Sequence, residues 1–236
     1  MSWCDIGANF TDKRLFFEPV FERALAVDVS HIIITGTNLD KSQQAIQLAQ
    51  QYPSHLWTTA GVHPHDASQF TPQTIDDLRT LAKSSRVVAI GECGLDFNRN
   101  FSTPEQQCFA FEQQLRLACE LSLPVFLHER DAFETQIALL TKYHNQLKGG
   151  VVHCFTGDVE QMKCYLNLGL YIGITGWVCD ERRGKDLQQL VPSIPLDRLL
   201  IETDAPFLIP RTVKPKPKSR KNEPALLPYI CQTVAQ

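Results

Sequence analysis

The chain lacks the features that would tie it to a membrane or a disulfide framework. No apolar run approaches the roughly 18 residues of a membrane span, and MSWCDIGANF has no basic segment leading into a long apolar core, so it does not read as a secretory leader. The eight cysteines, Cys4, Cys93, Cys108, Cys119, Cys154, Cys164, Cys179 and Cys231, include no CxxC pair. A zinc ribbon and a thioredoxin-like site are therefore disfavoured. Several cysteines sit in apolar runs, where a free thiol acts as a small hydrophobe, and a reducing, cytoplasmic setting is expected. Low-complexity linkers are missing too. DIGANFTD, after the first apolar run, is not the glycine-rich phosphate turn of a dinucleotide-binding sheet.

What is present fits one well-filled domain. Length is 236 residues, with 43% hydrophobic and 21% charged content, which suits the roughly 200–250-residue class of α/β barrels. Net charge is -3, but residues 211–221, RTVKPKPKSRK, hold six basic and no acidic residues, leaving -9 on the remainder. Such a basic stretch suits a local anionic partner, or else a solvated Pro/Lys loop.

Eight short runs rich in β-branched residues recur at 3–7, 31–37, 56–63, 87–94, 124–129, 149–155, 170–176 and 199–205. They alternate with helix-like segments near 19–28, 40–51, 72–83, 104–121, 132–145, 158–168, 184–191 and 222–236. Residues 104–121 form the clearest helix: Thr103 caps it, Pro104 opens it, Gln106 completes a capping box, and Phe111, Leu115, Ala118 and Cys119 share a face. Eight such alternations predict a (β/α)8 TIM barrel spanning 1–236, with a doubly wound open sheet as the competitor.

Four of these strands end in groups that can bind metal. VVAIGE ends in Glu92, PVFLH in His128, GGVVH in His153, and LLIETD in Glu202 and Asp204. A charged tip on a buried strand is costly unless paired or liganded, and barrel active sites lie at strand C-terminal ends. A lone histidine there reads as a satisfied polar residue. The set reads as a divalent-metal site in which Glu92, His128, His153 and Asp204 are ligand candidates. Glu202 and Asp204, two apart, face the same way: one can ligate and serve as general base while the other orients. By the same alternation, Cys93 and Cys154 are expected to point away and pack.

GVHPHD (61–66) adds His63 and His65, which could reach the site or a substrate phosphate; a turn set by Pro64, with Asp66 as a cap, is the plainer alternative. Arg130 in HERDA suits bidentate phosphate contact, or an ion pair with Glu129 or Asp131. Lys214, Lys216 and Lys218 follow the eighth strand and are expected on the active-site face, holding a nucleic-acid backbone. Trp177, Phe97 and Phe101 could stack on unpaired bases or pack.

GVHPHD, AIGECGLDF, LHERDA, HCFTG, ETDAP and the NEP of 222–224 together resemble the TatD family of metal-dependent deoxyribonucleases, in order along nearly the whole chain. The resemblance implies a metal-dependent hydrolase barrel acting as a 3′–5′ exonuclease on single-stranded DNA and RNA. It further implies magnesium, with manganese possible, a role in repair of oxidative DNA damage, and a monomer. It places metal ligands on Glu92, His128 and His153 and the catalytic carboxylate on Asp204. The family pattern in the first strand is Asp-x-His-x-His, whereas this chain has Asp5-Ile6-Gly7-Ala8-Asn9. One firm metal site is therefore expected, with a second ion held loosely or only with substrate. The family also leads to the expectation of a further C-terminal helix beyond Gln236. A small-molecule amidohydrolase of the same barrel, or a non-catalytic nucleic-acid-binding protein, are the alternatives.

Overall fold

A computed structural model describes residues 2–215 and 217–236. Eight parallel strands pair in sequence order: β1 (Trp3–Ala8), β2 (Val29–Ile34), β3 (Leu56–Ala60), β4 (Val87–Asp96), β5 (Val125–Arg130), β6 (Gly150–Val152), β7 (Tyr171–Ile174) and β8 (Leu199–Ile201). The helices α1 (Phe17–Leu25), α2 (Leu39–Gln51), α3 (Pro72–Leu81), α4 (Pro104–Leu121), α5 (Phe133–Tyr143), α6 (Val159–Asn167), α7 (Lys185–Leu190) and α8 (Leu227–Val234) alternate with them. This is the expected (β/α)8 barrel. β8 closes onto β1 through backbone bonds from Asp204 N–H to Gly7 O and from Asn9 N–H to Ala205 O, both 2.8 Å. The buried Asp5 carboxylate reinforces that seam by accepting from the Thr203 backbone (2.9 Å) and hydroxyl (2.5 Å). No described helix is long and apolar enough to cross a membrane.

Two apolar layers hold the barrel. The larger lies between sheet and helices. The smaller fills the bore with Ile6, Ala89, Phe126 and Val151, flanked by Ile33, Tyr171 and Leu200. Period-two alternation then aims the next inward residue of each strand above this plug: His128 follows Phe126, His153 follows Val151, and Glu202 follows Leu200. On β4 the same count would reach Gly91, but a register shift between Gly91 and Cys93 turns Glu92 inward instead. The plug is thus the floor of the site, and the Phe126 ring stacks under His153 with centroids 4.8 Å apart.

Helix boundaries fall within three residues of those expected for α2 to α7; the short α8 (Leu227–Val234) occupies less of 222–236, and α1 begins two residues early and ends three early. α4 starts and stops as predicted, with the Thr103–Gln106 capping box formed. Strand three is shorter than 56–63. It ends at Ala60, and Pro64–Gln69 form a 3₁₀ turn, because Pro64 has no N–H for a ladder. β6 also stops early, at Val152, so alternation does not extend to Cys154. That residue takes a left-handed backbone (φ 47°) and lines the main cavity, which corrects its reading as an outward packing residue. Cys93 is buried in the outer core as expected.

α4 buries two glutamines, Gln107 and Gln114, one heptad apart on its sheet-facing side. Both clamp backbone beside the site. Gln114 accepts from Val62 N–H (2.8 Å) and donates to Val62 O (3.0 Å), fixing the residue before His63. Gln107 does the same for Asp96, accepting at 2.8 Å and donating at 3.0 Å. A Gln114→Leu variant would leave both Val62 groups buried and unpaired. It is expected to lose about 2–4 kcal/mol of unfolding free energy in urea titration, whereas a loss below about 0.5 kcal/mol would show that the clamp is dispensable.

Candidate active site and metal centre

At the C-terminal ends of the strands lies a cavity of about 1180 Å³, whose lining includes His63, His65, Glu92, Asp96, His128, Arg130, His153 and Asp204. Its centre is one oxygen. Glu92 Oε1 lies 2.8 Å from His153 Nε2, 3.0 Å from His128 Nδ1 and 3.2 Å from His63 Nε2. Glu92 and His153 are 6% and 5% exposed. The site thus gathers three imidazoles around a buried carboxylate, contributed by β4, β5, the end of β6 and the loop after β3.

Outside this group stands a ring of orienting contacts. Glu202, fully buried, lies 3.3 Å from His153 Nδ1 and accepts the Cys154 N–H at 2.6 Å. Its carboxylate is wedged where a Cβ on Gly7 would come within 2.2 Å of Oε2 and one on Gly173 within 2.9 Å of Oε1. The room that a larger residue at position 7 would need is therefore taken by Glu202. Asn9 Nδ2 donates to Asp204 Oδ1 at 3.0 Å. Asp96, deeply buried, accepts from or pairs with His65 Nε2 at 2.7 Å and stands 3.4 Å from His128 Nε2.

These neighbours set the charges. Burial alone would raise the Glu92 carboxyl, yet the charges of His153 and His63 and hydrogen bonds from His128 and His153 hold it well below its usual range. Burial opposes charge on His153, but Glu92 and Glu202 raise it well above an ordinary histidine. His128 is likewise raised against its burial by Asp96 and Glu92. His63 goes the other way, since burial outweighs the pull of Glu92. Burial opposes charge on Asp96 as well, yet His128, the Arg99 N–H and His65 hold it low. Asp204 is pushed up to about 7 by burial, with the charges of Glu92 and Glu202 adding to the rise.

The residues present fit a divalent cation. His63, Glu92 and His128 offer ligand atoms all within 4.8 Å of one another. Donors sharing one ion at about 2.1 Å must lie close together in this way. Thr37 Oγ1, at the cavity, is buried without a hydrogen-bond partner, and His128 Nε2 has only the 3.4 Å approach to Asp96. Buried polar atoms left short of partners beside such a donor set are what an ion would satisfy.

A model of the TatD related DNase family matches residues 4–236. The chain belongs to the TatD related DNase family. It is 56% identical over 233 residues to a protein of Erwinia tasmaniensis named 3′-5′ ssDNA/RNA exonuclease TatD, covering 98% of this chain and 90% of that relative. An Escherichia fergusonii protein of the same name is 57% identical over 234 residues, again with 98% and 90% coverage. Among solved structures, a TatD family hydrolase from Entamoeba histolytica superposes with a TM-score of 0.88 at 31% identity, over 99% of this chain and 90% of that one.

Measured against the sequence expectations for this TatD-family chain, Glu92, His128 and His153 converge as anticipated and Asp204 lines the same cavity. His63, expected at the substrate, lies among the metal-ligand candidates. Of the two carboxylates just after β8, Asp204 lines the cavity, whereas Glu202 is fully buried behind His153. His65 reaches the cavity through Asp96. Arg130 is exposed at the rim and, among the described residues, has no ion pair with Glu129 or Asp131. The basic loop departs from expectation. Lys214 and Lys218 do not line this cavity: past Arg211, which pairs with Asp180 (3.0 Å), the chain brings Lys218 against α1. Lys216 lies outside the described residues. Trp177 and Phe97 line the cavity wall.

Asp96 was missed by sequence reasoning. The signal was there: it ends β4 four residues after Glu92, so both belong to one strand tip. An Asp96→Asn variant of the metal-free protein is expected to lower the His128 pKa, since the carboxylate favours the charged ring. An NMR titration reads this, and an unchanged His128 would contradict the pairing.

Proposed function

We propose that this chain is a divalent-metal-dependent 3′–5′ exonuclease that hydrolyses phosphodiesters of single-stranded DNA and RNA. It works as a single barrel domain over 1–236 and as a monomer in the cytoplasm, in repair of oxidatively damaged DNA. The observation that carries the reading is the Glu92 carboxylate ringed by His63, His128 and His153 in a cavity shared with Asp204. Family membership and the names of the curated relatives support the substrate and polarity. Eight free cysteines suit a reducing compartment.

Glu92, His128 and His153 are assigned as the ligands of one firm ion, with His63 as a further donor and Asp204 at its edge. The ion is taken as magnesium, with manganese as the alternative. Such an ion supplies Lewis acidity, polarising a phosphoryl oxygen and making a nearby water more acidic. Asp204 is assigned as the base that takes a proton from that water, while Asn9 holds its carboxylate in place. Glu202 acts as a positioning residue by fixing the His153 ring. Arg130 and His65, at the rim, are placed to hold the terminal phosphate and offset its charge. Hydrolysis then forms a bond from water oxygen to phosphorus and breaks the phosphorus–oxygen bond to the departing sugar, which leaves with a proton.

Glu92→Gln and Asp204→Asn are each expected to reduce nucleotide release from end-labelled single strands in magnesium by about 10²–10⁴-fold. Near-parental rates in both variants would refute the assignment. The raised His153 pKa gives a second test. Glu92 and Glu202 favour the charged form of that ring in the metal-free site, and a ligating imidazole must be neutral, so ion binding is expected to release a proton. Affinity should fall as pH falls, and calorimetric binding enthalpies should differ between buffers of different ionisation heat. Identical enthalpies in both buffers would place the ion elsewhere.

A further inference from the structure

A second cavity, of about 540 Å³, lies beside the barrel mouth between α1 and the basic loop, where the mechanism makes no use of it. Its walls alternate cations with apolar faces: Arg14, Phe16, Arg23, Pro217, Lys218 and Lys221. Phe16 is 71% exposed. Lys221 Nζ sits 5.9 Å over its ring and donates to Arg14 O at 2.8 Å. Arg14 pairs with Asp12 and Arg23 with Glu223, each at 2.6 Å. Lys218 and Lys221 are left without an ion pair among the described residues.

Arg14 joins the wall of this cavity to that of the active site. The Arg14 guanidinium lies 4.4 Å above the centre of the Phe207 ring. Phe207 is 44% exposed and lines the main cavity together with Asp12. From Asp204 outward, the surface therefore presents Phe207, Arg14, Phe16 and then Lys221 and Lys218. Aromatic faces interleaved with cations are what a single-stranded nucleic acid requires: bases stack on any ring, and lysines follow the phosphates without reading sequence. A folded protein partner would instead need apolar area without this density of cations.

We propose that this track is a binding site for the body of the substrate strand, holding nucleotides on the 5′ side of the one being removed. It rests on the exonuclease reading for its polarity. The reacting end lies against Glu92 and Asp204, and the rest of the strand leaves over Phe207 and Arg14 into the Phe16–Lys221 cavity. The basic loop after β8 thus serves substrate length, not the reaction itself.

The test measures binding and turnover separately. Binding of a fluorescent single strand of about ten nucleotides is followed by anisotropy in EDTA, for the parent, Phe16→Ala and the double variant Lys218→Ala/Lys221→Ala. Each change is expected to weaken affinity about tenfold, and the double variant to lower the slope of log affinity against log salt by about 1.4. With magnesium present, the ratio of kcat/KM on the long strand to that on a dinucleotide should fall by the same factor. Leu196→Ala, at an exposed side chain just before β8 and so at the opposite end of the barrel, is the control. Affinity within twofold of the parent in both track variants overturns the proposal and leaves the cavity to another occupant. A loss in Leu196→Ala that matches that in Phe16→Ala also overturns it. Should the parent bind the strand in EDTA yet cleave neither substrate with any divalent ion, the nuclease reading fails while the binding arm still decides the track.

Discussion

The site is organised by one buried negative charge. Glu92 sits at the centre of a barrel plugged below by Phe126 and Val151, where an uncompensated carboxylate would cost several kcal/mol. Three imidazoles meet its Oε1, and two of these rings are held from behind by carboxylates of their own, Glu202 for His153 and Asp96 near His128. The arrangement exchanges one kind of positive charge for another: protons on the histidines, or a cation among them. Everything nearby serves that balance, from the Gly7 and Gly173 gap that admits Glu202 to the glutamine clamps of α4 that hold Val62 and Asp96.

Much of this was legible in the sequence because it follows from period. Eight β-branched runs separated by helical spacing leave few topologies besides the barrel, and once strands are ordered their C-terminal tips must meet. Glu92, His128 and His153 were found in this way. The parts that escaped depend on breaks in period. His63 precedes Pro64 on backbone that leaves the strand at Ala60, so its reach to Glu92 comes from tertiary placement. Cys154 lies past the last ladder bond of β6, where alternation no longer fixes direction. Gln107 and Gln114 resemble surface residues of an amphipathic helix, and only the depth of α4 against β4 shows that they pair with buried backbone.

Gly7 and Asn9 illustrate the other limit of one-residue reasoning. In sequence they are missing histidines. In the folded barrel Gly7 is the space occupied by Glu202, and Asn9 is the donor that holds Asp204. The first strand thus supplies space and a donor rather than ligands, and the candidate ligating atoms lie around Glu92. Similarly, Lys218 and Lys221 follow β8 closely in sequence, but in the fold they lie against α1 and not on the cavity that holds Glu92.

Anomalous diffraction from crystals soaked in manganese tests the central claim most directly. One strong peak in contact with Glu92, His128 and His153 is the result this account predicts. A cavity with no peak at Glu92, or a principal peak held by other residues, would contradict it.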